Sequence, residues 1–197
     1  NFNRLNSFLS LPIILNKKDF SSKSNYVFPE KDQNRERIII HPNENPSSNI
    51  NLPNGIEQLS DREIQDNLGK IVKSTNIKND ISVCLNQASS SELLALKVKS
   101  NVNESLEIVI PSIEEKSIST RILLLIEEGA KLDLLQVFLG NKNSAHNHLI
   151  EIKIESNVEL KHGLISMGEA KESSSICTLA VEQSKKSNYS LHSIYEG

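Results

Sequence analysis

Tryptophan is absent and aromatic residues make up only 4% of the 197 residues, so the core cannot be built on rings. It must rest on Leu, Ile and Val, residues suited to aliphatic strands stacked in layers. Cysteine occurs twice, at Cys84 and Cys177. Two thiols are too few for a disulfide framework or a four-thiolate metal site. A basic excess is also lacking: 22 Lys and Arg against 25 Asp and Glu leave a net charge of −3. Without a positive field to hold phosphates, a dedicated nucleic-acid binder is excluded as a first reading. The longest apolar runs, such as Ile122 to Ile126, fall far short of the roughly 20 residues that span a bilayer, and no charged-then-apolar leader opens the sequence. The expectation is a soluble protein of a reducing, cytoplasmic compartment. The sequence opens at Asn1 without Met and stops after the strand-like run Tyr189 to Tyr195, which reads as a piece of a longer protein.

Two regions are expected, residues 1–91 and 92–197. Asn1 to Asn54 holds no sustained period and reads as irregular, with short apolar islands at Phe8 to Leu15 and Ile38 to Ile40 and a loop at Asn43 to Asn49, where Asn, Ser and Pro favour turns. Ser60-Asp61-Arg62-Glu63 is a capping box, and Ile64, Leu68, Ile71 and Val72 follow at helical spacing, which predicts one helix from Asp61 to Ser74 packed on its own domain.

From Leu93 onward the period becomes two: Leu94, Leu96 and Val98; Leu106, Ile108 and Ile110; Ile122, Leu124 and Ile126. No further amphipathic helix of useful length follows, so a doubly wound sheet has nothing to cover its faces. A weak repeat decides between the remaining all-β architectures. Glu127-Glu128-Gly129-Ala130-Lys131-Leu132-Asp133-Leu134 aligns with Glu155-Ser156-Asn157-Val158-Glu159-Leu160-Lys161-His162, a spacing of 28 residues. A looser copy runs from Glu182 to Leu191. A two-sheet sandwich explains alternation equally well, but repeat spacing favours stacked coils with a continuous aliphatic interior, a β-solenoid.

Candidate chemistry is sparse. His146-Asn147-His148 places two imidazoles on one face of a strand, yet no third metal ligand is identifiable, and surface histidines at a loop-to-strand junction are the preferred reading. Cys177 and Cys84 both read as small buried hydrophobes, unactivated by basic neighbours. Glu114-Glu115 and Glu127-Glu128 are paired only in sequence, since neighbours on a strand point to opposite faces. The nucleotide-binding, serine-hydrolase and zinc-protease signatures are absent. A β-helical polysaccharide lyase needs carboxylates clustered with basic residues, and Arg121 is the single Arg of the strand region. No catalytic, cofactor-binding or metal-ligating residue is assigned.

The run Arg121 to Leu132, then Phe138-Leu139-Gly140, Asn147 to Ile154 and Val158 to His162, resembles the core of the SufB/SufD family of iron–sulfur assembly scaffolds. Asn51 to Ile56 and Leu85-Asn86-Gln87-Ala88 are similar to the family's L-P-x-G-V and L-N-x-A segments, and Ser187 to Leu191 with Gly197 resembles a strand ending in glycine. The resemblance covers about Ile50 to Gly197. It implies a right-handed parallel β-helix, here its first part, preceded by a small helical N-terminal region. It also implies a non-catalytic subunit working with a SufB-like scaffold and a SufC-like ATPase, in a complex that handles iron–sulfur clusters and reduced flavin, in a cytosol or a plastid stroma. Cys84 and Cys177 match no sulfur-transfer motif, so the SufD-like half is the better match. No functional residue is carried over, including His162 and His192. Because a solenoid without its last coil exposes unpaired strands, the 197-residue chain is expected to self-associate.

Overall fold

The computed structural model describes residues 28–40, 50–90, 92–168 and 173–196. The islands and loop expected at Phe8 to Leu15 and Asn43 to Asn49, together with His41 and Gly197, lie outside the described residues. In chain order the elements are β1 (Glu36–Ile39), β2 (Ile56–Gln58), α1 (Asp61–Asn67), α2 (Lys70–Ser74), a 3₁₀ turn (Asn76–Asn79) and α3 (Ile81–Ser89). Eight long strands follow: β3 (Glu92–Val98), β4 (Asn103–Pro111), β5 (Ser117–Ile126), β6 (Lys131–Leu139), β7 (Ser144–Ile154), β8 (Glu159–Met167), β9 (Ser173–Gln183) and β10 (Asn188–Glu196).

These strands alternate between two sheets, ordered β2-β3-β5-β7-β9 and β1-β4-β6-β8-β10. Every pairing among β3 to β10 is parallel. The chain therefore winds as a parallel β-solenoid of four coils, and the sandwich alternative, which needs antiparallel strands, does not describe it. The repeat is the coil: Val98 pairs with Ile126 and Ile126 with Ile154, each 28 residues on, and the next step, to Gln183, is 29. Alternation then puts one parity of each strand inside, as columns such as Leu96, Leu124, Ile152 and Val181. Leu96, Leu124 and Ile152 are at most 1% exposed, and burying each such side chain contributes about 1.5–3 kcal/mol.

One set of corners carries a second column. Asn101, Gly129, Asn157 and Lys186 all sit at positive φ, between 58° and 74°. Asn and Gly tolerate this left-handed turn best, which is why they mark three of the four corners. Gly129 is further confined, because an added Cβ would collide with Asn101 Oδ1.

Two expectations change at the N-terminal side. The helix foreseen from Asp61 to Ser74 is two helices, because Leu68 turns extended and Gly69 adopts φ 78° between α1 and α2. The apolar spacing continues through the break, so Ile64 and Leu68 pack near Leu123, while Ile71 and Val72 pack with Leu149. The irregular reading of Asn1 to Asn54 is interrupted by β1, which extends the second sheet by pairing with β4.

The helices lie against the outer face of the first sheet. Asn86, wholly buried on α3, donates from Nδ2 to the carbonyls of Thr120 (3.0 Å) and Asn147 (2.8 Å), and Asn147 Nδ2 donates to Ser82 O (2.8 Å). Glu151, on β7, accepts from Arg121 Nη2 (2.8 Å) and from the Gly69 amide (3.0 Å) that opens α2. On the opposite sheet Arg37 Nε donates to Glu107 at 2.6 Å and Arg35 Nη2 to Asp133 at 2.8 Å, holding β1 and the chain before it against β4 and β6.

Candidate functional site

Most interior columns are aliphatic, but one side of the interior is polar. On the first sheet, Glu92, Thr120, His148 and Cys177 are register partners, and beside them run Ile118, His146 and Ser175. On the second sheet, Gln136 follows Ile108, and His162 follows Leu134. This polar seam gathers most of the titratable groups inside the coils.

The seam contains two hydrogen-bonded sets. Thr120 Oγ1 meets His148 Nδ1 at 2.7 Å, and His148 Nε2 meets His146 Nδ1 at 2.7 Å, the two imidazoles lying edge to face. Phe138 stacks on His148 with ring centroids 3.9 Å apart, which joins the two sheets across the interior. In the second set His162 Nε2 donates to Gln136 Oε1 at 2.8 Å, which leaves Nδ1 to accept from the Tyr189 hydroxyl at 3.1 Å.

Burial sets the charge state of these groups. Desolvation disfavours imidazolium, holding His146 and His162 down at about 4. His148 is lowered well below the ordinary histidine value, by burial and then by its neighbour His146. The same loss of solvent pushes the Cys177 thiol up to about 12 and the Tyr189 phenol up to about 12. Near neutral pH the seam thus holds neutral imidazoles and a protonated thiol. It offers hydrogen bonds and no ready nucleophile.

The structure corrects two expectations here. His146 and His148 are not surface residues at a junction: they are 2% and 0% exposed, inside the coil. Their phase gives the reason, since both share the parity of Ile150, Ile152 and Ile154 on the same strand. Cys84 is not a buried hydrophobe but lies exposed on α3, one position beyond Val83, which takes the buried face. Cys177 is half-buried and packs against the interior, as expected of a small hydrophobe. His162 is buried, whereas His192 is exposed on β10. Glu114-Glu115 and Glu127-Glu128 stand at corners rather than in strands. At the second pair the carboxylates diverge: Glu127 accepts from the Ser100 amide and Glu128 from Asn157 Nδ2. Arg121 is tied to Glu151 beneath α2.

Among the described residues no group of three or more His, Cys, Asp or Glu is placed to hold a metal ion. Among them, too, no helix is long and apolar enough to cross a membrane. Comparison with protein-family models, with curated proteins and with solved structures finds no match.

Proposed function

We propose that the chain is a SufD-like, non-catalytic scaffold subunit of an assembly that builds iron–sulfur clusters, with a SufB-like scaffold and a SufC-like ATPase as partners. One observation carries the reading: the segments that resemble the SufB/SufD family occupy positions with strict physical requirements. Gly55, in the L-P-x-G-V-like segment, donates its amide to Glu104, and an added Cβ would stand 2.7–2.9 Å from Glu104 and Val102. Asn86, in the L-N-x-A-like segment, ties α3 to two strands at once. Gly129 turns the corner between β5 and β6. A solenoid with a small helical region before it is also the architecture that the resemblance implies.

In this reading ATP belongs to the SufC-like partner, and cluster and reduced flavin belong to the assembled complex; the coils supply a rigid arm. The test is to co-express the full-length parent chain with candidate SufB-like and SufC-like partners and to capture the complex through the ATPase. Recovery of all three in fixed stoichiometry is the expected result. A folded parent chain that never joins them overturns the proposal.

A further inference from the structure

The outward face of the second sheet divides into two halves. Next to the corners at Gly129 and Asn157 it is charged: Lys131 and Asp133 on β6 stand beside their register partners Glu159 and Lys161 on β8. Toward the other end of the same strands it turns apolar. Ile39, Val109, Val137 and Ile165 are successive register partners along one row, and Pro111, Leu139 and Met167 form the next. All of them have the parity opposite to Leu106, Leu134 and Leu160, which fill the interior. Aliphatic side chains in outward rows call for a cover, and the helices lie on the other sheet.

Part of that cover is in place. Val109, Val137 and Leu139 are 0%, 2% and 8% exposed, and Phe28 packs against them. The chain reaches this point by doubling back ahead of β1: Arg37 Nη1 donates to Pro29 O at 2.8 Å, and Arg35 Nη2 to Asp133 Oδ2 at 2.8 Å. One strand further on the cover thins. Ile165 is half-buried and Met167 is 37% exposed, although β8 is paired on both sides.

We propose that the apolar half of this face is the docking site of the segment Phe8 to Leu15 of the same chain. Phe8-Leu9-Ser10-Leu11-Pro12-Ile13-Ile14-Leu15 carries no charge and lies upstream of the residue already seated on the face. Residues 16–27 join the two, and twelve residues can span up to about 40 Å. The distance to cover is far smaller, since β8 lies only about 10 Å from β4, two strand spacings away. Tethering also selects the occupant: a segment on so short a leash is present at an effective concentration of about millimolar, which a second copy does not match in dilute solution. Pro12 lacks an amide N–H, which disfavours adding the segment to a sheet edge as a strand. Laying its side chains across two aliphatic rows requires no such bond.

Photo-cross-linking of the 197-residue chain tests this, with a benzophenone maleimide attached through Met167→Cys and with Cys84 and Cys177 replaced by Ser. The label is irradiated in an equal mixture of ¹⁵N-labelled and unlabelled chains. The expected product joins position 167 to residues 5–17 of the same chain, without isotopically mixed species. The same label attached through Asp66→Cys, at an exposed position of α1 over the other sheet, should not reach residues 5–17. Ile13→Asp with Ile14→Asp should lower the yield from position 167 by about tenfold or more, because docking would then bury two unpaired charges. Cross-links from position 167 that miss residues 5–17 overturn the proposal. So does an isotopically mixed product at residues 5–17, which would make a second copy the occupant, or an undiminished yield in the Ile13→Asp, Ile14→Asp variant.

Discussion

At the scale of single residues, Glu151 shows what fastens the helices to the solenoid. Its side chain is 1% exposed, and its partner Arg121 is 13% exposed. A carboxylate so deep is sustained because every neighbour aimed at it donates: the guanidinium, the Gly69 amide and, at 3.4 Å, the Val72 amide. The cost of removal exceeds the net value of the pair, because a stranded buried charge is worse than no charge. Glu151→Ala is expected to lower unfolding stability by about 3–5 kcal/mol in urea melts, whereas the paired change Glu151→Leu with Arg121→Met should recover most of it. If the double variant is as unstable as the single one, the contact is not acting as a charge pair. None of this could be read from the sequence. Arg121 and Glu151 stand 30 positions apart, and only the coil period brings them to neighbouring strands.

At the scale of elements, α1, α2 and α3 are too short to hold themselves together in water. Each depends on what it touches. The capping box of α1 is in place, with Ser60 N and Glu63 Oε2 at 2.9 Å; the break after Leu68 is not announced by any loss of apolar spacing but falls at Gly69, whose left-handed φ of 78° ends the helical path, and whose amide then donates to Glu151. For α3 the fastening residue is Asn86. Asn86→Ala removes both donors that bridge β5 and β7, and should cost about 2 kcal/mol. Because the loss is local, limited proteolysis between residues 75 and 90 should accelerate before the strands do. An unchanged cleavage rate contradicts that role. The strands themselves were legible, since alternation marks Leu94 to Val98 and Ile122 to Ile126 without ambiguity. The histidines were legible in principle. Extending the phase of Ile150, Ile152 and Ile154 back along β7 puts His148 and His146 inside, but polar side chains there look like a strand's exposed start.

At the scale of the whole molecule, the 28-residue offset between Glu127 and Glu155 becomes one coil of a stack, and with it come the aliphatic columns, the left-handed corners and the polar seam. What the period could not disclose is the seam's wiring. His162 reaches Gln136 one coil back and Tyr189 one coil forward, and such partners follow from side-chain geometry rather than from spacing. Columns, corners and seam all depend on the strand register. Lys131, exposed, and Glu159, half-buried, are outward-facing register partners on β6 and β8, and neighbouring strands run about 4.8 Å apart, within the span of about 4.4–6.8 Å that a disulfide bridges. With Cys84 and Cys177 replaced by Ser, the variant Lys131→Cys, Glu159→Cys should close an intramolecular disulfide on mild oxidation, seen as a loss of two hydrogen atoms in the intact mass and a linked peptide pair. Failure of this pair to close, while Lys131→Cys with Ser190→Cys closes readily, would contradict the coil register and every inference built on it.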